Sequence, residues 1–188
     1  RRQRQMCIRD RLEIVTPKHE KSLEVIRHSA AHIMAQAVQE IWDDVKVTIG
    51  PVIDNGFYYD FDAPFHFHPE DLEKIENQMN KIIKQDLEVY RKDMSVDEAK
   101  KTFGDINEDY KIEIIDDLIA KEGTKEVGIY YQGDWFDLCR GPHVQRTSQI
   151  GVVKVLSLAG AYWRGDENKA QLQRIYATAF TDKKELKK

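Results

Sequence analysis

Asp137-Leu138-Cys139-Arg140-Gly141-Pro142-His143 sets a thiol and an imidazole four residues apart, across a Gly-Pro step that a helix does not accommodate. Far upstream, His28 and His32 are also four apart, within Arg27-His28-Ser29-Ala30-Ala31-His32. That segment has helical periodicity, so both rings leave one face of one helix. If these four side chains meet, two kinds of chemistry are open to them. Three imidazoles and a thiolate form a complete tetrahedral zinc shell by ligand type, and His-x-x-x-His is the spacing that puts two rings on one metal. Without a metal, the same groups can hold a water by hydrogen bonds, and an imidazole that titrates near neutral pH can take or give its proton. Asp137 can orient a histidine or a lysine. Lys111 can join the proton transfer if its pKa is lowered by partial desolvation. Either version suits hydrolysis of an activated acyl group.

The elements that must position these residues are legible as patterns. A long helix is predicted from about Glu20 to Asp43, with Leu23, Ile26, Ile33, Ala37 and Ile41 on one stripe. At about 100° per residue, His28 and His32 fall on the opposite face. Val45 to Ile53 and Phe57 to Phe61 flank Asp54-Asn55-Gly56, the signature of a hairpin. Its aromatic strand is read first as core packing, with Tyr59 a lesser candidate for the site. Pro69 opens a second helix with Leu72, Ile75, Met79, Ile82 and Ile83 on its buried face. A strand near Leu87 to Tyr90 precedes a short helix whose start is marked by Ser95-Val96-Asp97-Glu98. Tyr110 to Ile115 alternates apolar and polar residues and is predicted as a strand carrying Lys111 opposite Ile112 and Ile114. Val127 to Tyr131 and Trp135 to Leu138 form another hairpin, whose second strand delivers Asp137 and Cys139 into the Gly-Pro turn. Ile150 to Leu158 and Gln171 to Phe180 are further strands, a short strand is expected at Leu12 to Thr16, and Thr181 would cap a helix. Without a regular strand-helix alternation, the fold class is α+β with a mainly antiparallel sheet packed on a long amino-terminal helix and shorter helices.

A chain of 188 residues with 41% hydrophobic content can bury a core as one domain or two small intimate lobes. No apolar run approaches membrane-spanning length, and the charged start does not read as a secretory signal, so an intracellular setting is expected. Two cysteines without regular spacing make no disulfide framework, and Cys139 is read as a free thiol. A net charge of −4 does not advertise a nucleic-acid binder. Residues 1–11 hold five arginines and one acid with no period, and are read as an artefactual or disordered head; subtracting them takes −4 to −8.

Four strings carry a resemblance: His28 to His32, Ile49-Gly50-Pro51-Val52-Ile53-Asp54-Asn55-Gly56-Phe57-Tyr58-Tyr59-Asp60, Asp137 to His143, and Ala159-Gly160-Ala161-Tyr162-Trp163-Arg164-Gly165-Asp166. Together they resemble the amino-terminal editing domain of bacterial-type threonyl-tRNA synthetases. The paired His-x-x-x-His and Cys-x-x-x-His are shared with alanyl-tRNA editing proteins, whereas the second and fourth strings are specific to the threonyl family. The resemblance implies an editing domain over residues 12–180 and the start of a linker helix at 181–188, in a fragment lacking the aminoacylation core. It also implies hydrolysis of serine wrongly attached to threonine tRNA, in the cytoplasm, within a homodimeric full-length enzyme. Carried over by motif, His28 and Lys111 would position and activate the attacking water. His32, Cys139, His143 and Asp137 would line the pocket, with Tyr59, Tyr130, Gly50 and Arg140 helping to bind substrate. The family edits without zinc, so no metal is expected, and zinc on His28, His32, Cys139 and His143 is the runner-up. Rival readings are a free-standing zinc deacylase and a non-catalytic module that docks the tRNA acceptor end. Tyr162 and Trp163 are read as core residues, Arg164 as a lesser candidate for RNA phosphate, and Arg140 as a contact to the tRNA backbone or the partner of a neighbouring acid.

Overall fold

Small residues let the first helix be covered on every side. In the computed structural model, which describes residues 16, 19, 21–182 and 184, helix α1 (Ser22–Ile41) is buried continuously from Ser29 to Val38. Ala30 and Ala37 allow close approach on the apolar side, and Ala31 and Ala35 are equally buried nearer the histidines. Its other face is a stripe of polar residues, His28, His32, Gln36 and Gln39, at helical spacing.

The chain continues through β1 (Lys46–Val47), β2 (Val52–Ile53), β3 (Gly56–Asp62), α2 (Pro69–Lys84), β4 (Val89–Ser95), α3 (Val96–Asp105), α4 (Asp109–Glu122), β5 (Glu126–Gln132), β6 (Trp135–Leu138), β7 (Val152–Tyr162) and β8 (Gln171–Phe180). One antiparallel sheet has the order β1-β3-β8-β7, with β2 also paired to β3. A second has the order β4-β5-β6. Each sheet has its own apolar core. The larger packs α1 and α2 against β3, β7 and β8 around Ile33, Met34, Phe57, Phe61, Ile75 and Met79. The smaller gathers Met94, Ala99, Phe103, Ile115, Val127 and Ile129 between α3, α4 and the second sheet. The polar stripe of α1 faces the seam between them: Gln132 donates to Gln36 at 2.7 Å and Trp135 to Gln39 at 2.8 Å.

The α+β class and the antiparallel sheets agree with the sequence pattern. Tyr110 to Ile115 does not: it is the first half of α4. Six alternating residues fit either period, but Ile112, Ile115 and Ile119 continue at spacings of three and four. Gly123 then closes the helix in the left-handed region, at φ 64°. The expected single strand from Val45 to Ile53 is two short ones, because Ile49-Gly50-Pro51 bows over the Tyr59 ring and a Cβ on Gly50 would run into that ring. Ser95 caps α3 as expected, accepting from the Glu98 N–H. Strand β7 runs on to Tyr162, which is exposed, while Trp163 is buried, so only one of these two belongs to the core. The expected strand at Leu12 to Thr16 and the helix after Thr181 fall mainly outside the described residues, as do Cys7 and the rest of the head.

Candidate active site

The two motifs meet at the seam. The loop after β6 returns across α1, and Cys139 Sγ lies 3.2 Å from His28 Nε2 and 3.2 Å from His143 Nε2. Gly141, at φ 74°, makes this turn against the Tyr130 hydroxyl, where a Cβ would collide. The His143 ring is tilted against both His28 and His32, at centroid distances of 4.3 and 4.2 Å, and Tyr130 packs on its other side at 4.4 Å. One ligand atom from each of His28, His32, Cys139 and His143 lies within 4.8 Å of all the others. By type and separation the set fits a zinc ion.

Ser29 decides the tautomer of His143. Its hydroxyl donates to the Val25 carbonyl at 2.8 Å and accepts from the Val144 N–H at 3.0 Å. That single proton is therefore committed, and the contact from Ser29 Oγ to His143 Nδ1 at 3.2 Å requires the proton on Nδ1. His143 Nε2 is then a lone pair aimed at the sulfur. Burial pushes the Cys139 thiol up to about 11, so it carries its proton at neutral pH and can donate it to only one of the two imidazoles in contact. Burial also holds His28, His32 and His143 below the ordinary histidine value, and the rings add to each other's shift at His32 and His143. The cluster is a set of neutral imidazoles around one protonated thiol that can serve only one of its two ring contacts.

A second group forms the deep wall. Asp137 Oδ1 pairs with Lys111 Nζ at 2.6 Å, and Asp137 Oδ2 accepts from the Tyr59 hydroxyl at 2.7 Å. Lys111 also donates to the Thr48 carbonyl at 2.8 Å and to the Tyr59 oxygen at 3.0 Å, so all three of its N–H bonds have acceptors. Tyr59, Lys111 and Asp137 are almost wholly buried. Burial and the neighbouring Asp137 charge hold the Tyr59 hydroxyl well above its ordinary range. His32 Nε2 sits 3.8 Å from Asp137 Oδ2, beyond hydrogen-bond range, which agrees with a neutral ring.

These walls enclose an open cavity of about 800 Å³ lined by His28, His32, Gly50, Tyr59, Lys111, Asp137, Cys139 and Arg140. His143 and Tyr130 stand behind its surface. Arg140 at the mouth makes a two-pronged pair with Glu122, the alternative raised for it from sequence. Arg164 pairs with Glu113 at 3.2 Å and Asp117 at 2.6 Å on α4, which takes up its charge. Sequence reasoning missed Ser29, although it lies inside the first histidine motif. It also missed Thr48 and Glu108, whose roles have no local signature.

The family described as "Threonyl and Alanyl tRNA synthetase second additional domain" matches residues 127–176. Over 94% of its length the chain is 61% identical to a threonine–tRNA ligase of Bdellovibrio bacteriovorus, and 54% identical to one of Geobacter sp.. A threonine–tRNA ligase of Thiobacillus denitrificans is 54% identical over 93% of the chain. In each case the chain spans 27% of the relative's length. Among the described residues no helix is long and apolar enough to cross a membrane.

Proposed function

Starting from a chain that belongs to the threonyl-tRNA synthetase family and carries its second additional domain, we propose that this segment hydrolyses the ester of serine mischarged onto threonine tRNA. The observation that carries the proposal is the convergence of the His28/His32 pair with Cys139 and His143 beside a cavity large enough for an aminoacylated terminal nucleoside. Water adds to the ester carbonyl as His28 takes its proton. The carbon–oxygen bond to the ribose then breaks, and the proton passes to the departing ribose oxygen, releasing serine and an uncharged tRNA. Lys111, held by three acceptors, is a fixed positive charge near the oxygen that becomes negative. Asp137 and Tyr59 keep it in place, and His32, Cys139 and His143 shape the pocket around the amino acid.

Such a second site has a physical motive. A pocket that accepts threonine rejects an analogue lacking one methyl by only about 10- to 200-fold. A hydrolytic pocket that fits serine can exclude threonine by the bulk of that same methyl. The partners proposed are the acceptor end of threonine tRNA and the remaining domains of a cytoplasmic, homodimeric synthetase. With a net charge of −4, this segment alone is expected to hold tRNA weakly and in a salt-sensitive manner.

The test is incubation with seryl- and threonyl-tRNA. Release of serine by the chain and its loss in His28→Ala support the proposal, and protection of the ester without cleavage would reduce the segment to a docking module. A zinc-dependent version is favoured by the ligand atoms within 4.8 Å of one another. Three of His28, His32, Cys139 and His143 would hold the ion, leaving its fourth position for a water to which it would supply Lewis acidity. Stoichiometric zinc in purified protein, lost in Cys139→Ala, would establish that version over the metal-free one.

A further inference from the structure

Glu108 is a buried acid that the proposed reaction does not use. It is 4% exposed and, among the described residues, makes no ion pair. It stands directly before α4, and its carbonyl accepts from the Lys111 N–H at 3.0 Å. Its carboxylate reaches two other elements: Oε1 accepts from Gln39 Nε2 of α1 at 2.6 Å, and Oε2 accepts from the Val47 N–H of β1 at 3.3 Å.

The orientation of Gln39 is not free. Its oxygen accepts from Trp135 Nε1 at 2.8 Å, and its nitrogen also donates to the Val45 carbonyl at 3.0 Å. A flipped amide would face donor with donor at one end and acceptor with acceptor at the other. Glu108 is thus met by two donors and must accept on both oxygens. Each connection leads to the site. Trp135 packs edge-on against the His32 ring, at a centroid distance of 5.6 Å. Val47 precedes Thr48, whose carbonyl holds Lys111.

We propose that Glu108 is a positioning residue of this site: one carboxylate ties α1, β1 and α4 together and sets the Lys111 wall at its working distance from the histidine wall. A stability role alone explains it poorly. Burying a carboxylate against neutral donors is costly, and burial raises this one to about 7.

This inference rests on the hydrolytic reading, and the experiment separates the two. Glu108→Gln keeps the shape but turns an N–H₂ toward either Gln39 or Val47. Its kcat on seryl-tRNA is expected to fall roughly 10- to 100-fold with KM unchanged, the scale of a small misplacement. The reciprocal variant Gln39→Glu/Glu108→Gln lets both the indole and the new amide donate to the carboxylate on α1 but sets that carboxylate against the Val45 carbonyl, and it is expected to recover part of that loss. Nitrogen NMR of the His32 ring and the Trp135 indole gives a readout free of activity: both resonances are expected to move in Glu108→Gln, and that of His32 to shift back toward its wild-type position in the reciprocal variant, where the indole donates to a charged acceptor. If wild type does not hydrolyse seryl-tRNA while these resonances respond, the reaction is wrong and the positioning stands. Unmoved resonances, wild-type kcat in Glu108→Gln, or a folded reciprocal variant without recovery would overturn the positioning. If Glu108→Gln fails to fold, the reciprocal variant decides, and unfolding of both shows that Glu108 serves the fold and overturns the proposal as well.

Discussion

The two walls of the cavity are built on opposite principles. On the side of His28, His32, Cys139 and His143 the groups are neutral, all but His32 partly exposed, and a single thiol proton lies between two imidazole nitrogens. On the side of Lys111, Asp137 and Tyr59 the groups are charged or strongly polar, buried, and matched donor to acceptor. A matched network holds its shape but has no spare capacity to exchange protons. An unmatched cluster has that capacity but is not rigid by itself. The difference teaches that reactivity and placement are divided between the walls, with Ser29 and Trp135 bracing the reactive one.

Substitutions can break this contrast. His28→Ala removes the base and is expected to lower seryl-tRNA hydrolysis by about 10²- to 10⁴-fold in single-turnover assays, with little change in the urea midpoint. Asp137→Asn strikes the matched wall, leaving the Lys111 charge buried without its counter-ion. A loss of about 3–5 kcal/mol in urea unfolding is expected, with activity falling as a consequence. Comparable stability in Asp137→Asn and wild type would show that the wall is not matched as described.

The pH dependence adds to the contrast, because the histidine wall and Glu108, where the two walls join, respond with opposite sign. An unfolded histidine binds its proton near pH 6.5, while buried His32 does not, so acidification below 6.5 favours the unfolded state. Up to about 1.4 kcal/mol per pH unit is expected from that ring. Glu108 behaves conversely. Raised to about 7, it binds a proton in the fold before the unfolded chain does, and it adds stability as pH falls from about 7 towards 4.5. With His28, His32 and His143 all depressed against one raised acid, wild type should lose stability between pH 6.5 and 5, and Glu108→Gln more steeply, as thermal melts across that range would show. The smallest effect is expected at the mouth: Arg140→Ala breaks an exposed pair with Glu122 and should leave the melting temperature unchanged.

Much of this site was legible beforehand because helical spacing and a Gly-Pro turn are local rules. His28 with His32, and Cys139 with His143, could be paired on paper, and in the fold Cys139 lies 3.2 Å from both His28 and His143, which brings the two pairs together. Lys111 was found by its context but assigned to a strand, since a short alternation of Ile112 and Ile114 does not distinguish the two periods. The face of α1 opposite its apolar stripe was recognised as polar. That the second sheet covers it was not, because Gln36 and Gln39 look like solvated residues until Gln132 and Trp135 arrive from some 96 positions away.

The amino-acid sequence by itself determined which groups share a helix face or a turn, and so the types of chemistry on offer, because those relations depend only on backbone period and on residues close in the chain. Tertiary structure alone decided which acceptors Lys111 satisfies, which nitrogen of His143 holds the proton, and that Glu108 lies where two walls join. Those outcomes depend on distances between segments far apart in the chain and on exclusion of water from between them, and no local pattern encodes either.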